Sequence, residues 1–340
     1  MCPRKFCLSG THLFRPWLFS LEYFCISSFI SKFAPSFACV KGEEKMEVKQ
    51  NSLRAWVLAA RPKTLSAALV PVVVACALAV KTGTFDGRPA LLCVVFAAFM
   101  QIAANFINDL YDFLRGTDRE DRLGPERACA QGWISAKAMK WGIAATVVPA
   151  CAFGLLLLHF GGLWLIAIGV ACVVFAFLYT LLLSYCGLGD VLVYLFFGFV
   201  PVFGTYYVQA HAFDAPVWWL SAACGLAVDN LLVVNNYRDR EQDKQSGKRT
   251  IIVVFGECFG RYFYLLQGVA ACLCVAALAV INKSFVWCGV LPLFYLLPHY
   301  AAWRKLSALR SGRALNGVLG ATSRNMLLFG LLTAVAVMLG

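Results

Sequence analysis

Nine apolar windows follow one another along this chain: Leu65–Val80, Ala90–Ile107, Met139–Phe160, Leu163–Leu183, Val191–Ala210, Pro216–Val234, Tyr262–Ile281, Phe285–Trp303 and about Met326–Leu339. A helix rising about 1.5 Å per residue needs about twenty such residues to cross a hydrocarbon core some 30 Å thick. Lipid offers no partner to a bare peptide group, so a run of this kind has to be helical. The expected fold is therefore an all-α polytopic membrane protein with nine transmembrane helices. With 61% hydrophobic residues, an ordinary soluble domain is excluded, and 340 residues suit one membrane domain.

The loops alternate in charge. One side carries Arg54, Arg61 and Lys63, then Arg115, Arg119, Arg122, Arg127, Lys137 and Lys140, then Arg238, Arg240, Lys244, Lys248, Arg249 and Arg261, then Arg304, Lys305, Arg310, Arg313 and Arg324; the other has only Lys81, Arg88 and Lys283. Positive loops stay in the cytoplasm, which puts that first side inside and the C-terminus outside. The formal charge of +12 reads as this topology rather than as nucleic-acid binding, since no basic run is interleaved with a binding motif.

Acids on the same side are what topology does not explain. The second window runs straight into Asn105-Phe-Ile-Asn108-Asp109-Leu-Tyr-Asp112-Phe-Leu-Arg-Gly116-Thr-Asp118. On a helix Asn105, Asn108 and Asp112 stack along one face, and Gly116 lets the chain turn to bring Asp118 back toward them. The sixth window runs into a second stripe, Asn235, Asp239 and Asp243, each four residues apart. Both motifs end helices on the same side, four helices apart, as a parallel internal duplication would place them. If the stripes face each other, five carboxylates counting Asp109 share one cavity, and charges about 5 Å apart repel by roughly 3 kcal/mol per pair at an effective dielectric near 20. A cation must sit between them. Oxygen donors select Mg²⁺, which is held by a few carboxylates together with substrate phosphates. Arg122, Arg127, Lys248, Arg249 and the Arg61-Pro62-Lys63 turn supply the positive groups that a diphosphate needs.

Other features are less informative. Asp190 opens the fifth window, either as an intramembrane functional acid or as a helix N-cap. Asp229, ten residues before Asp239, falls well off the metal stripe. Fifteen cysteines are scattered through apolar runs without a C-x-x-C pair and read as small apolar side chains. His159, His211 and His299 lie near predicted helix ends, where interfacial packing is expected. Residues 1–50 are expected to be an N-terminal extension and 51–340 the membrane domain. The patch Lys41-Gly-Glu-Glu-Lys45 precedes Met46, and translation is expected to start at that methionine, with an amphipathic anchor or a transit sequence as the alternatives.

Together these motifs resemble the UbiA-type membrane prenyltransferases, and within them the branch that prenylates 1,4-dihydroxy-2-naphthoate. The resemblance runs from about Ala60 to the last helix. It rests on Arg61-Pro-Lys-Thr-Leu65, on Asn108-Asp-x-x-Asp112…Gly116-x-Asp118-x₃-Arg122-x-Gly-Pro-x-Arg127, on Gly187-Leu-Gly189-Asp190 and Tyr206-Tyr-Val-Gln209, and on Asn235-Asn-x-Arg-Asp239-x₃-Asp243-x₃-Gly247-Lys248-x-Thr250. One departure is Val254, which stands where the family carries a basic residue, so that one diphosphate contact is either missing or supplied by Arg261.

The resemblance implies nine helices around a central cavity, open laterally to lipid and capped by the two motifs, in a multi-pass protein of the bacterial cytoplasmic membrane. It also implies Mg²⁺ on Asn108, Asp112, Asp118, Asn235, Asp239 and Asp243, and a polyprenyl diphosphate held by Arg61, Lys63, Arg122, Arg127, Asn236, Arg238 and Lys248. The acceptor would be 1,4-dihydroxy-2-naphthoate, attacked at the carbon bearing its carboxylate, with Asp109 or Asp190 taking a phenolic proton. From the residues alone, 4-hydroxybenzoate and homogentisate remain alternative acceptors. A transporter would use midplane charges, whereas these acids cluster at one face.

Overall fold

Two of the helices long enough to outrun the bilayer carry an acidic motif on the excess. The computed structural model describes residues 48–116 and 122–340. Residues 1–47, and with them nearly all of the expected extension, lie outside the described residues, as does Asp118. Val48–Gly340 packs as one unit. Its helices are α1 (Leu53–Ala60), α2 (Pro62–Lys81), α3 (Gly87–Leu114), α4 (Ala136–Gly161), α5 (Leu165–Leu181), α6 (Gly189–Ala210), α7 (Ala215–Gln245), α8 (Ile251–Ile281), α9 (Lys283–Leu309) and α10 (Leu315–Leu339), with no strand among the described residues.

By length and composition eight of these can cross a membrane among the described residues, so the chain is a multi-pass membrane protein. The expected ninth span falls short. The fourth window becomes α5, of 17 residues, or about 26 Å at the helical rise. Leu182 leaves the helix (φ −139°, ψ −53°), the next apolar letters form a tight turn at Leu183–Tyr185, and Gly187 reverses the chain at φ +77°. The other eight windows each fall within one of the spanning helices.

The 28 residues of α3 and the 31 of α7 span roughly 42 and 46 Å, against a core of about 30 Å. Their final turns therefore stand in the polar zone, where carboxylates are hydrated rather than stranded. Capping starts three neighbours on time: Asp86 accepts from the Arg88 amide (2.9 Å), Ser135 from that of Ala138 (3.2 Å) and Thr250 from that of Val253 (3.3 Å). At the opposite end Lys81 donates to the Gly340 carbonyl and lies 5.8 Å from the Phe285 ring, while Arg88 sits over Phe160. The sparse charges of the second loop set thus gather at the end away from the motifs.

The main core, with Leu78, Tyr206, Leu220, Val275 and Phe329, lies between α2 and α6–α10; a second one, with Ala59, Phe106, Ile107 and Met139, joins α1, α3 and α4. His299 is not interfacial as expected: it is fully buried, stacked on Tyr264 at 4.6 Å and bonded to the Tyr295 hydroxyl at 2.9 Å. The eleven described cysteines are all free.

Candidate active site

The C-terminal ends of α3 and α7 enclose a polar cavity of about 250 Å³, which shares Arg61, Thr64, Asn108, Tyr179, Leu232 and Asn235 with an apolar chamber of about 500 Å³ below it. The chamber is walled by residues such as Val72, Phe96, Phe175, Phe196, Phe197 and Val208. Along α3 it extends from Asn108 to Cys93, a depth of about 22 Å at the helical rise. A charged vestibule thus opens onto an apolar tunnel.

On the α3 side, Asp112 Oδ2 accepts from Arg127 Nη2 at 2.8 Å. Its neighbour Asp109 turns the other way. Both of its oxygens accept backbone N–H groups, from Ala128 and Cys129, each at 2.9 Å. One turn earlier Asn105 donates to the Ala60 carbonyl and to Thr64 Oγ1, each at 2.9 Å, fastening α3 to the break between α1 and α2. At that break Arg61 adopts φ +51° and lines both cavities. Burial, with Arg127 and Arg122 close by, pushes its guanidinium down to about 9, so it is still a cation at neutral pH.

On the α7 side Arg238 forks onto Asp239, Nε to Oδ1 at 2.7 Å and Nη2 to Oδ2 at 2.6 Å, and its third nitrogen donates to Asn316 Oδ1 at 2.8 Å. Asn316 in turn donates to the Leu123 carbonyl at 2.8 Å, which draws the α3–α4 loop over the cavity. The loop passes so close that a Cβ on Gly124 would lie 2.8 Å from Arg238 Nη2. Asp243 faces Lys248 Nζ at 3.9 Å and accepts the Lys248 amide on its own carbonyl at 2.9 Å.

Twelve of the residues singled out in the sequence line this polar cavity: Arg61, Asn108, Asp112, Arg122, Arg127, Asp190, Asn235, Asn236, Arg238, Asp239, Asp243 and Lys248. Others do not join them, Asn105 and Arg249 included. Asp109 caps the loop instead. Lys63 is on neither cavity wall, and its carbonyl accepts from Ser66 and Ser323. Arg261 is not on the cavity wall: the α8 helix is broken at Gly256 (φ +86°), five residues upstream. Asp190 lies in the first turn of α6, where Leu188 is the N-cap residue and no side chain caps, so the N-cap reading fails. Asp229 is absent from both cavity walls and accepts from Gln267 at 2.6 Å, as its position off the stripe implied. Two contributors went unread. Tyr179 ends an apolar window, where an aromatic passes for an interfacial anchor. Asn316 is a neutral residue among loop cations.

The side chains Asn108, Asp112, Asn235, Asp239 and Asp243 offer oxygen only, and this donor set fits a hard divalent cation. Among the described residues no three His, Cys, Asp or Glu converge as a ready cluster, and Asp112, Asp239 and Asp243 each pair with a basic side chain.

The UbiA prenyltransferase family matches residues 68–318. The 1,4-dihydroxy-2-naphthoate octaprenyltransferase of Escherichia coli (strain K12) is 36% identical over 247 residues, covering 69% of this chain and 80% of that one. The enzyme of the same name from Mycobacterium tuberculosis is 34% identical over 295 residues, covering 85% and 98%. Among solved structures, a UbiA homologue from Archaeoglobus fulgidus bound to GPP and Mg²⁺ shares the fold at a TM-score of 0.61 and 15% identity, over 84% of this chain and 99% of that one. By this match over most of its length, the chain belongs to the UbiA prenyltransferase family.

Proposed function

We propose that the chain, with 51–340 as its catalytic unit, transfers a polyprenyl group from polyprenyl diphosphate to 1,4-dihydroxy-2-naphthoate, releasing CO₂ and diphosphate and giving a demethylmenaquinol. The observation that carries this reading is the junction of the two cavities at Asn108, Tyr179 and Asn235: an apolar tunnel of about 500 Å³ ends at a charged vestibule. An amphiphile with a long apolar tail and a diphosphate head matches that shape. The octaprenyltransferase relatives support the acceptor. The loop charges support a placement with both motifs on the cytoplasmic side, and the bacterial relatives support a cytoplasmic-membrane location.

In this reading Arg61, Arg122, Arg127, Arg238 and Lys248 bind the diphosphate, and their fixed charges favour the state in which negative charge builds on it. Mg²⁺ held by Asp112, Asp118, Asp239 and Asp243 with Asn108 and Asn235 would supply Lewis-acid neutralisation of the leaving group. Asn236 adds a polar contact at the same wall. The allylic C–O bond breaks, and the new C–C bond forms at the acceptor carbon that carries the carboxylate. Loss of CO₂ from that carbon restores the aromatic ring, so no proton has to leave it. Tyr179 and the Phe175–Phe196 ring pair (5.2 Å apart) present aromatic faces to a developing carbocation. Asp190 is the acid left at the wall to take a phenolic proton, since both oxygens of Asp109 are engaged.

A membrane assay with radiolabelled polyprenyl diphosphate, Mg²⁺ and a panel of aromatic acceptors tests this, run beside Asp112→Ala and Asp239→Ala. Label is expected in a naphthoquinone-type product with 1,4-dihydroxy-2-naphthoate alone, and in neither variant. Prenylation of 4-hydroxybenzoate or homogentisate instead would overturn the acceptor, and active variants would overturn the chemistry.

A further inference from the structure

The aromatic ring of Tyr185, in the α5–α6 turn, has cations on it from two other segments, the end of α3 and the α7–α8 loop. Arg115 Cζ lies 4.8 Å from the ring centroid and Lys248 Nζ 5.3 Å. Arg115 is itself tied down, since it donates to the Thr180 carbonyl at 3.0 Å and to that of Leu181, the negative end of α5. The backbone fixes the ring's place as well. The Arg249 amide donates to the Tyr185 carbonyl at 3.1 Å, and Gly187, at φ +77°, lies so close that a Cβ there would meet the Arg249 carbonyl oxygen at 2.8 Å. The hydroxyl takes no part: Tyr185 Oη is buried and has no hydrogen-bond partner among the described residues.

Lys248 has the opposite problem. Its ammonium stands on the polar cavity wall at the end of a flexible four-carbon stem, with Asp243 at 3.9 Å as its acidic neighbour. A loose ammonium is a poor fixed charge. The π face of Tyr185 gives it a second point of attachment that does not neutralise it.

Resting on the prenyl-transfer reading above, we propose that Tyr185 is a positioning residue for the donor's diphosphate: its ring, held in place by Arg115, fixes the Lys248 ammonium at the cavity wall. The ring acts through Lys248 and not through its hydroxyl. It also links the turn after α5 to the loop that closes the cavity between α7 and α8.

The test is a donor-concentration series on the full chain, with inorganic diphosphate binding measured on the same preparations. Tyr185→Phe keeps the ring and is expected to leave the donor KM within about two-fold. Tyr185→Leu is expected to raise KM and to weaken diphosphate binding by about five-fold, the scale of one cation–π contact, with a smaller change in kcat. In a Lys248→Ala background Tyr185→Leu should add nothing further, because the partner it acts through is gone. Equal effects in both backgrounds, a Phe variant as impaired as the Leu variant, or a Leu variant with unchanged diphosphate binding would each overturn the proposal. A parent chain that binds diphosphate but transfers no prenyl group would instead overturn the functional reading, and the binding series would still decide the role of Tyr185.

Discussion

Asp112 and Arg127 form an ion pair 2.8 Å long in which both side chains are only 6% exposed. Fifteen residues separate them, and the pair pins the α3–α4 loop to the end of the helix that carries the first motif. Removing one member of a buried pair of this kind is costly, because the other loses this opposite charge inside the protein.

Arg127→Met is therefore expected to cost about 3 kcal/mol of stability or more, the usual penalty for leaving a buried partner uncompensated. Thermal unfolding in detergent reads it directly, and prenyl transfer should fall with it. A variant as stable as the parent would mean that the pair is not closed in solution.

The two acids weighed for proton transfer should separate cleanly. Asp109→Asn loses one acceptor for the Ala128 and Cys129 amides, so a stability loss of about 1–3 kcal/mol is expected while the folded fraction keeps most of its turnover. Asp190→Asn should do the reverse. It replaces a carboxylate whose Oδ1 is buried without a partner, so stability is kept while turnover drops. Full activity in both variants would remove any acid–base role for either.

What the letters could and could not show follows from the physics of each element. Lipid forces length and helicity on every span, so the windows were legible, and i, i+4 spacing put Asn108 and Asp112, and likewise Asn235, Asp239 and Asp243, on cavity-facing stripes. The same rule hid the partner of Arg238, which was itself expected at the diphosphate. Adjacent residues on a helix do not face each other, yet Arg238 folds back to grip Asp239 because Asn316, from a helix far away in sequence, fixes its other nitrogen. Asp109 carries the same letter as the motif acids but sits one position off the stripe and serves a loop that no local pattern announces. The end of α5 was misread because Leu181, Leu182 and Leu183 are equally apolar, while the turn is dictated by Gly187 four residues on.

Gly124 is the one described glycine in the α3–α4 loop where an added Cβ would meet a neighbour. A Cβ there would stand 2.8 Å from Arg238 Nη2 and 3.2 Å from its Cζ, and Arg238, bonded to both Asp239 and Asn316, has nowhere to go. Gly124→Ala should disturb a charge-assisted bidentate contact, and the donor KM is expected to rise about ten-fold, in line with roughly 1.5 kcal/mol for such a bond. Gly317→Ala is the control: it lies on α10 with open space where its Cβ would go, and it should behave as the parent does.

Metal removal should stop turnover without unfolding the protein. Asp112, Asp239 and Asp243 already have Arg127, Arg238 and Lys248 as partners at 2.8, 2.6 and 3.9 Å, so their charges are compensated within the chain itself. With chelator present, the unfolding midpoint is expected to move by less than about 2 °C, equivalent to roughly 1 kcal/mol at most for a domain of this size, while prenyl transfer is lost. Adding Mg²⁺ together with inorganic diphosphate should then raise the midpoint. A ligand that binds only the folded state at a hundred times its Kd adds about 2.7 kcal/mol. Mg²⁺ alone should add much less, because it must first compete with the three basic side chains for the carboxylates, whereas diphosphate gives those same cations a new partner. If Mg²⁺ alone stabilises as strongly as the pair of ligands does, the carboxylates are open to the metal and the three ion pairs do not persist in solution.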